Sequence, residues 1–490
     1  MRYEKLDCAR LFLTALILLL ICGKALSQMI DKPDITTERI VGAAMTRGGA
    51  ISFLETLTDN IGGRLTGSPQ SKIASELILK TLKDAGFDTA HFEQYSIAVG
   101  WQRGPITGWV ISPVKQPILV GSYGWSPGTK GAVEVPLVSI QVPSDGKLSG
   151  DLTKLRGAAV LVDLQSGTYL SFAANYVVRR TLVMKQLASA GAAAMLIQSE
   201  KADRMLYTSA AGIYPGAPLP TLSVAKEDAF FLRRLLAKGD VRLRLDVQDV
   251  LDPHPVKERN VIAEIPGTNP DEIVLLAAHF DSWDAAQGAN DNGSGVAAIL
   301  EAARILKSLG VNPRSTIRFV FFSGEEQACL GSRAYVESHK DQLDHHRAAL
   351  IMDDGAQTPL GFLLHGRNDL EVQAKHQLAS LIPLGAGQIL PGGDLSSDDQ
   401  TFVVAGVPAL SLNVVEGDYD SRHHTITDTF DRIDARGLAM DTAVMALAAY
   451  SLANAEQSLG RRLTPQEVND LLKKTGQAEY VALDYAQAAQ

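Results

Sequence analysis

The sequence predicts an α/β fold: a mostly parallel sheet flanked by helices, with a β-rich block inserted into it. In the second half of the 490-residue chain, apolar runs such as 273–278 and 317–322 alternate with helix patterns such as 296–310. Residues 127–250 instead carry a succession of short β-type runs, with one small-residue helix pattern among them. Strands that alternate with helices form parallel sheets, so we expect ligands at the carboxyl ends of the strands.

The first 27 residues have the pattern of a secretory signal peptide. An apolar run at 11–23 follows three basic residues and precedes Ala25-Leu26-Ser27. Such a run is short of the roughly 20 residues that span a bilayer, which favours cleavage near Ser27 over an uncleaved anchor helix. A lipoprotein linked through Cys22 is disfavoured, because Ile21 stands where a small residue is expected. We therefore expect a secreted or periplasmic protein with no stable membrane span.

The rest of the chain divides into segments whose patterns of strand and helix signals differ. We predict a catalytic domain in two parts, 28–115 and 251–463, separated by an insert at 116–250 and followed by a tail at 464–490. A helix pattern at 71–87 ends at a glycine stop signal, Gly86, and a strand-like run follows it. The tail is rich in Ala and Gln, and we expect it to be peripheral.

Composition excludes some function classes. The formal net charge is −9 and no basic cluster stands out, so nucleic acid is not an expected partner. Of the cysteines Cys8, Cys22 and Cys329, two lie in the signal segment, which leaves no internal disulfide after cleavage. Cys329 stands in an apolar context, which predicts a small buried residue rather than a nucleophile.

Histidine and carboxylate residues follow the first of the apolar runs. His279 ends the run, and Asp281 lies two positions later, on the same face of a strand. Asp281 can therefore orient the imidazole and leave its other nitrogen free for a metal. Asp291 stands in a loop rich in Gly and Asn. Its carboxylate could bridge two ions, or it could cap the helix that follows.

Further acidic residues and a histidine pair come after the later runs. Glu325 and Glu326 are adjacent in a turn, so one can bind a metal while the other takes a proton from a metal-activated water. A bare Glu-Glu pair or His-His pair is also common on solvated surfaces. The other candidates are Asp353 or Asp354 after a strand, Asp398 in a loop, and His423 and His424 before a long helix.

Five motifs in order resemble the co-catalytic zinc exopeptidases, the aminopeptidases and carboxypeptidase-Q-like dipeptidases. They are HxD at 279–281, GANDNGSG at 288–295, SGEEQxxxGS at 323–332, an Asp after an apolar strand at 353, and HHTxxDT at 423–429. NIGGRLTGSPQS at 60–71 also resembles the start of that catalytic domain. The resemblance implies a phosphorylase/hydrolase-like sheet domain, interrupted by a protease-associated domain where the β-rich block stands.

The resemblance also implies a role for each candidate residue. His279 and Asp353 would bind one zinc ion, Glu326 and His424 a second, and Asp291 would bridge the two. Glu325 would be the general base, with His423 near the developing oxyanion. Asp281 would support His279, and Asp398 would support His424. The loop after residue 351 is short, so Asp354 stays an alternative to Asp353.

These inferences predict an exported exopeptidase with two zinc ions that hydrolyses small peptides through a metal-activated water. One alternative is a zinc hydrolase of a non-peptide amide. Another is a catalytically inactive binding or receptor-like module on the same fold, which should lack a ligand or the base. The sequence leaves open the choice between amino- and carboxy-side selectivity, and whether the chain forms a homodimer.

Overall fold

Strands of the chain assemble into two eight-stranded sheets in the computed structural model, which describes residues 35–164, 178–211, 216–415 and 417–488. The predicted signal segment lies outside these residues. In chain order the strands are β1 (His91–Ile97), β2 (Gly100–Gln102), β3 (Ile106–Ser112), β4 (Gln116–Ile118), β5 (Val120–Ser122), β6 (Val133–Gln141), β7 (Ala159–Asp163), β8 (Ala194–Gln198), β9 (Thr221–Val224), β10 (Arg242–Val247), β11 (Val250–Asp252), β12 (Val256–Ile265), β13 (Asn269–His279), β14 (Ser315–Phe322), β15 (His346–Ile351), β16 (Pro359–Leu363), β17 (Gln388–Leu390) and β18 (Ala409–Val414).

Helices connect and cover these strands. In chain order they are α1 (Ile35–Arg47), α2 (Gly49–Asn60), α3 (Pro69–Asp84), α4 (Val178–Ala190), α5 (Lys226–Leu236), α6 (Gly295–Ser308), α7 (Leu330–Ser338), α8 (Glu371–Gln377), α9 (Asp399–Val404), α10 (Tyr419–Arg422), α11 (Ala435–Asn454), α12 (Pro465–Lys474) and α13 (Ala478–Ala488). In the described ranges, no helix has the length and apolar character needed to cross a membrane.

The first sheet, here called the central sheet, has the strand order β1-β12-β14-β13-β15-β18-β16-β17. Four of its seven pairings are parallel, and the three central ones join β14, β13, β15 and β18. Alternate residues of β13 enter separate cores: Leu276 packs with α6 and α11 on one face, and Leu275 packs with residues of α7 and α9 on the other. This arrangement confirms the predicted α/β class with helices on both faces of the sheet.

The segment after residue 464 is not the peripheral tail that we expected. It forms α12 and α13, and Val468, Leu471 and Leu472 pack into the core that also contains Phe402. Their spacing of three and four residues places them on one helix face, which outweighs the polar composition around them. Arg333 also forms an ion pair with Asp484.

The second sheet, here called the insert sheet, has the strand order β4-β3-β10-β6-β7-β8-β9-β5. Its pairings from β6 to β9 are parallel, and the remaining ones are antiparallel. The segment also contains α4, which covers most of the predicted helix pattern, and a second helix, α5, that was not predicted. Its first strand begins at Ile106, before the boundary at 116 that the sequence predicts; the domain boundaries themselves remain predictions.

Candidate active site

Three neighbouring parallel strands bring the candidate site residues to one edge of the central sheet. In the registers of β13, β14 and β15, His279 lies opposite Phe322, and Ala277 lies opposite Ile351. β13 and β14 therefore end at the same level, and β15 ends two residues earlier at the same edge of the sheet. The residues just beyond them converge there, as the parallel arrangement requires.

His279, Asp291 and Asp353 form the first group of metal-ligand atoms. The Nε2 atom of His279 lies 3.0 Å from Asp353 Oδ1 and 3.4 Å from Asp291 Oδ1. Zinc ligands at about 2.0–2.1 Å in a tetrahedral arrangement are separated by roughly 3.3 Å, so this spacing suits one ion. The group fits the predicted set and contains Asp353 rather than Asp354.

His424 and the second oxygen of Asp291 belong to a second group. His424 Nε2 lies 3.2 Å from Asp291 Oδ2 and 3.1 Å from Glu326 Oε2. The other oxygen of Glu326 is buried and has no hydrogen-bond partner among the described residues. Asp291 thus directs one oxygen to each group, which is the geometry of a carboxylate shared by two ions.

Asn292, rather than Asp291, caps the helix that follows. The backbone N–H of Gly295 at the start of α6 donates to Asn292 Oδ1 at 3.0 Å, and Asn292 Nδ2 donates to the carbonyl of Met352. The peptide bond between Asp291 and Asn292 is cis. The carboxylate of Asp291 is therefore directed to the histidines, while Asn292 stabilises the helix start.

Asp281 holds the acidic turn against the strand end. Its carboxylate accepts hydrogen bonds from the Thr66 hydroxyl at 2.6 Å and from the backbone N–H groups of Glu325 and Glu326 at 3.3 and 3.4 Å. His279 Nδ1 lies 3.5 Å from this carboxylate and 3.1 Å from the Asp281 carbonyl oxygen, its closer partner. Asp281 thus positions both His279 and the glutamate pair.

The glutamate pair divides between the two ligand groups. Glu326 lies beside His424, whereas Glu325 Oε2 lies 3.9 Å from His279 Nε2. Cys329 is buried, and its Sγ lies 4.0 Å from Glu325 Oε1. The burial agrees with the predicted structural role of this cysteine.

His423 lies beside its neighbour, close enough to be a ligand itself. Its Nε2 is 3.5 Å from Asp291 Oδ2, and its ring stacks on the ring of His424 with centroids 3.7 Å apart. His423, His424 and Asp291 together form one group of atoms that could hold an ion. The geometry is therefore compatible both with the predicted oxyanion role and with metal binding by His423.

The expected hydrogen bond between His424 and Asp398 is not formed. In the described part of the chain, no hydrogen bond joins His424 Nδ1 to the carboxylate of Asp398. Burial raises the pKa of Asp398 to about 7, and the charges acting on it include those of His279, Asp281 and Asp353. Asp398 directly precedes α9.

Comparison with known proteins identifies the family of this chain. The model of peptidase family M28 matches residues 260–449. Bovine carboxypeptidase Q is 31% identical over 432 residues, which are 86% of this chain and 88% of that protein. The chain belongs to peptidase family M28. It is accordingly a metallopeptidase.

Two other proteins support the M28 assignment. A probable lipoprotein aminopeptidase of Mycobacterium tuberculosis is 29% identical, with 82% of each chain covered. The crystal structure of a Peptidase M28 precursor from Shewanella amazonensis is 28% identical, with a TM-score of 0.77, and covers 87% of this chain and 98% of that one. The similarity therefore extends through the insert sheet as well as the central sheet.

The electrostatics of this M28 peptidase favour a bound cation. Burial raises the pKa of Glu326 to about 7, and burial together with Asp353 and Glu326 raises the pKa of Glu325 well above its usual range. Burial opposes charge on His279, but the carboxylates of Asp353 and Glu325 outweigh it and raise the pKa of the imidazole. Buried carboxylates this close together are destabilised when ionised, and divalent cations would remove that cost.

Several residues outside the predicted set hold the M28 site in shape. Asp428 accepts the backbone N–H groups of Asn290 and Asp291 at 2.7 and 3.2 Å. Arg64 is fully buried and donates to the carbonyl oxygens of Phe280, Gln287 and Gly288. Arg64 and Thr66 lie in the motif GGRLTGS, and Asp428 lies in HHTITDT. Their position inside these motifs is the sequence feature that could have predicted a role at the site.

Aromatic rings enclose His424 from two segments. Trp283 lies edge-on with centroids 5.8 Å apart, and Tyr207 of the insert segment stacks at 5.5 Å. The backbone N–H of Thr208 also donates to the His424 carbonyl oxygen. No pattern in the sequence pointed to Tyr207, because its contact depends on how the insert sheet meets the central sheet.

Proposed function

We propose that this chain is an exported exopeptidase that hydrolyses small peptides with two zinc ions. The observation that carries the proposal is the division of Asp291, whose Oδ1 lies beside His279 and whose Oδ2 lies beside His424. His279, Asp353 and Asp291 would hold one ion, and Glu326, His424 and Asp291 the other. Nitrogen and carboxylate donors in buried positions are the ligand types that zinc prefers.

The ions, when bound, would polarise the scissile carbonyl and lower the pKa of the attacking water. Glu325 would take the proton from that water and deliver it to the leaving amine. Burial, together with Asp353 and Glu326, raises the pKa of Glu325, so its carboxylate is a stronger base than that of an exposed glutamate. Asp281 fixes the turn that carries Glu325 through the backbone N–H of that residue.

Export is the less direct part of the proposal. It rests on the basic, apolar and small-residue pattern of residues 1–27. The relative from Mycobacterium tuberculosis is named as a lipoprotein, which is likewise a class of exported protein. Amino-terminal sequencing of the protein recovered from an expressing bacterial host would show whether cleavage occurs near Ser27.

The function is tested by metal analysis together with a panel of free and N-blocked dipeptides. We expect about two zinc ions per chain after dialysis, and cleavage of free dipeptides but not of their N-acetyl forms. Equal cleavage of N-acetyl and free dipeptides would indicate release of the carboxy-terminal residue, and cleavage of peptides blocked at both ends would contradict the exopeptidase assignment. Binding of dipeptides without any turnover by the zinc-loaded protein would favour an inactive binding module, and turnover of simple amides alone would favour a non-peptide hydrolase.

A further inference from the structure

The loop between β8 and β9 carries residues of the insert segment to the metal centre. Tyr207 stacks on His424, and Thr208 donates its backbone N–H to the His424 carbonyl. Met205 Sδ accepts a hydrogen bond from the Thr427 hydroxyl at 3.5 Å. These contacts place residues 205–208 next to the histidine pair, with the first residues of the loop preceding them.

Lys201 is the basic residue of this loop that faces the histidines. Its side chain is 13% exposed, and its ammonium lies 5.7 Å from the centroid of the Tyr207 ring. The same ring lies 6.5 Å from that of His423, whose imidazole experiences the Lys201 charge. The rings of Tyr207 and His423 therefore lie between the ammonium and Asp291, whose Oδ2 is 3.5 Å from His423 Nε2.

The ammonium has two partners in the described part of the chain. It donates a hydrogen bond to the backbone carbonyl of Asp420 and forms an ion pair with Glu200, whose Oε1 lies 3.8 Å away. An ammonium group has three donors, so one remains for a further acceptor. Burial lowers the pKa of Lys201, although the charge of Glu200 opposes the shift. An anionic partner with hydrogen-bond acceptors would stabilise it.

Neighbouring guanidinium groups are already engaged. Arg103 donates to Asp284 at 2.8 and 2.9 Å and to the Ser122 carbonyl. Arg422 forms an ion pair with Asp418. Arg64 uses its donors on backbone carbonyls behind the site. Lys201 is paired as well, with Glu200, but its remaining donor is available to an anion that approaches the histidine side.

The carboxylates of the site impose a direction on a peptide substrate. They favour an ammonium group and repel a carboxylate, so the carboxyl end of a short peptide requires a compensating cation close by. We propose that Lys201 binds the terminal carboxylate of a short peptide whose scissile bond lies at the metal centre. The inference rests on the proposed exopeptidase function and deepens it: the substrates are short peptides with a free carboxyl terminus.

The test compares matched substrates on the metal-loaded enzyme. A dipeptide and a tripeptide are each supplied as the free acid and as the carboxy-terminal amide, and KM and kcat are measured for wild type and Lys201→Met. Methionine keeps the apolar stem and removes the charge. A charge-assisted hydrogen bond contributes enough that its loss should raise KM for at least one free acid about 10- to 100-fold. The amides should show no such change.

Two further variants separate this role from a structural one. Lys201→Arg should keep most of the preference for the free acid, because it keeps the charge, and Lys238→Met, at an exposed lysine after α5, should behave as wild type. The proposal is overturned if Lys201→Met has the same acid-to-amide preference as wild type at both peptide lengths. An equal loss of activity on acids and amides is one such outcome. Absence of wild-type turnover on every substrate would instead contradict the proposed function.

Discussion

The backbone N–H of Thr208 donates to the carbonyl oxygen of His424 at 2.9 Å. This hydrogen bond joins the insert segment to a residue that we assign as a metal ligand. A side-chain contact reinforces it, because Tyr207 stacks on the same imidazole. The insert segment therefore forms one wall of the site.

Removing the Tyr207 ring should loosen the second ligand group. We expect Tyr207→Ala to release the ion held by Glu326 and His424 more readily, because His424 would lose its stacking partner on one side. Tyr207→Phe keeps the ring and should retain the ion. Zinc content after graded chelator dialysis measures the difference. Equal retention in both variants would mean that the stacking does not stabilise the ligand.

Glu325→Gln should preserve the fold and the ion content and abolish nearly all turnover. Positioned proton transfer contributes roughly 10²–10⁴-fold to rate, and glutamine keeps the size of the side chain without the base. The matched control is Glu337→Gln, an exposed glutamate on α7 that pairs with Lys340. Activity assays alongside zinc analysis decide the matter, and near-normal kcat with both ions present would remove Glu325 from this role.

Much of the central sheet follows from local pattern. Buried parallel strands are nearly continuous apolar runs, so β13 and β14 are recognisable, and the ends of such strands predict where His279 and Glu325 meet. The pairing of Asp353 with His279 could also be anticipated. Which of Asp353 and Asp354 faces His279, however, depends on the path of the loop after β15. These features depend on short stretches of sequence.

Other features depend on long-range packing and could not be predicted. Tyr207 and His424 are far apart in the sequence, and no periodic pattern predicts that they touch. The support that Asp398 was expected to give to His424 is not a hydrogen bond in the described part of the chain, and local sequence does not determine how a loop residue and a residue of another loop meet. The apolar face of α12 was masked by the polar composition around it, which is why the segment was predicted to be peripheral.

Asp291→Asn should remove the stabilisation that zinc gives to the fold. Wild type should unfold at a lower temperature in chelator than with zinc, since an ion that binds only the folded state stabilises it. The variant lacks the negative charge that both ligand groups share, so its melting temperature should respond little to either condition. Differential scanning calorimetry with parallel elemental analysis provides the measurement. A variant that still holds two ions would show that Asp291 is not the bridge.

His423→Phe distinguishes an oxyanion donor from a metal ligand. We expect ion content to stay at wild-type level while kcat falls about 10²–10³-fold with a smaller change in KM, the signature of a contact made in the transition state. His424→Phe is the comparison and should lose one ion. If His423→Phe loses the ion instead, His423 is a ligand, as its 3.5 Å distance from Asp291 permits. Unchanged kcat would retire the oxyanion role.

His346 predicts how stability depends on pH away from the metal centre. The ring is 3% exposed; Nδ1 donates to the Gln342 carbonyl at 2.9 Å, and Nε2 accepts from the Tyr335 hydroxyl at 2.9 Å. Burial, with the charge of Arg318, lowers the pKa of His346 to about 4. A proton on Nε2 would break the bond from Tyr335, whose oxygen already accepts from Arg318 at 2.6 Å.

The folded state therefore keeps His346 neutral, whereas the unfolded chain protonates it near pH 6.5. Between about pH 6.5 and 4 the unfolded state binds the extra proton, so stability falls as the pH falls, by roughly 3 kcal/mol in total from this residue. Denaturant unfolding of the metal-free protein across that range should show a steeper loss in wild type than in His346→Asn, which can still donate to Gln342. An NMR titration of the folded wild type gives an independent check. Identical pH slopes in the two proteins, or an imidazole that titrates near pH 6.5, would contradict the prediction.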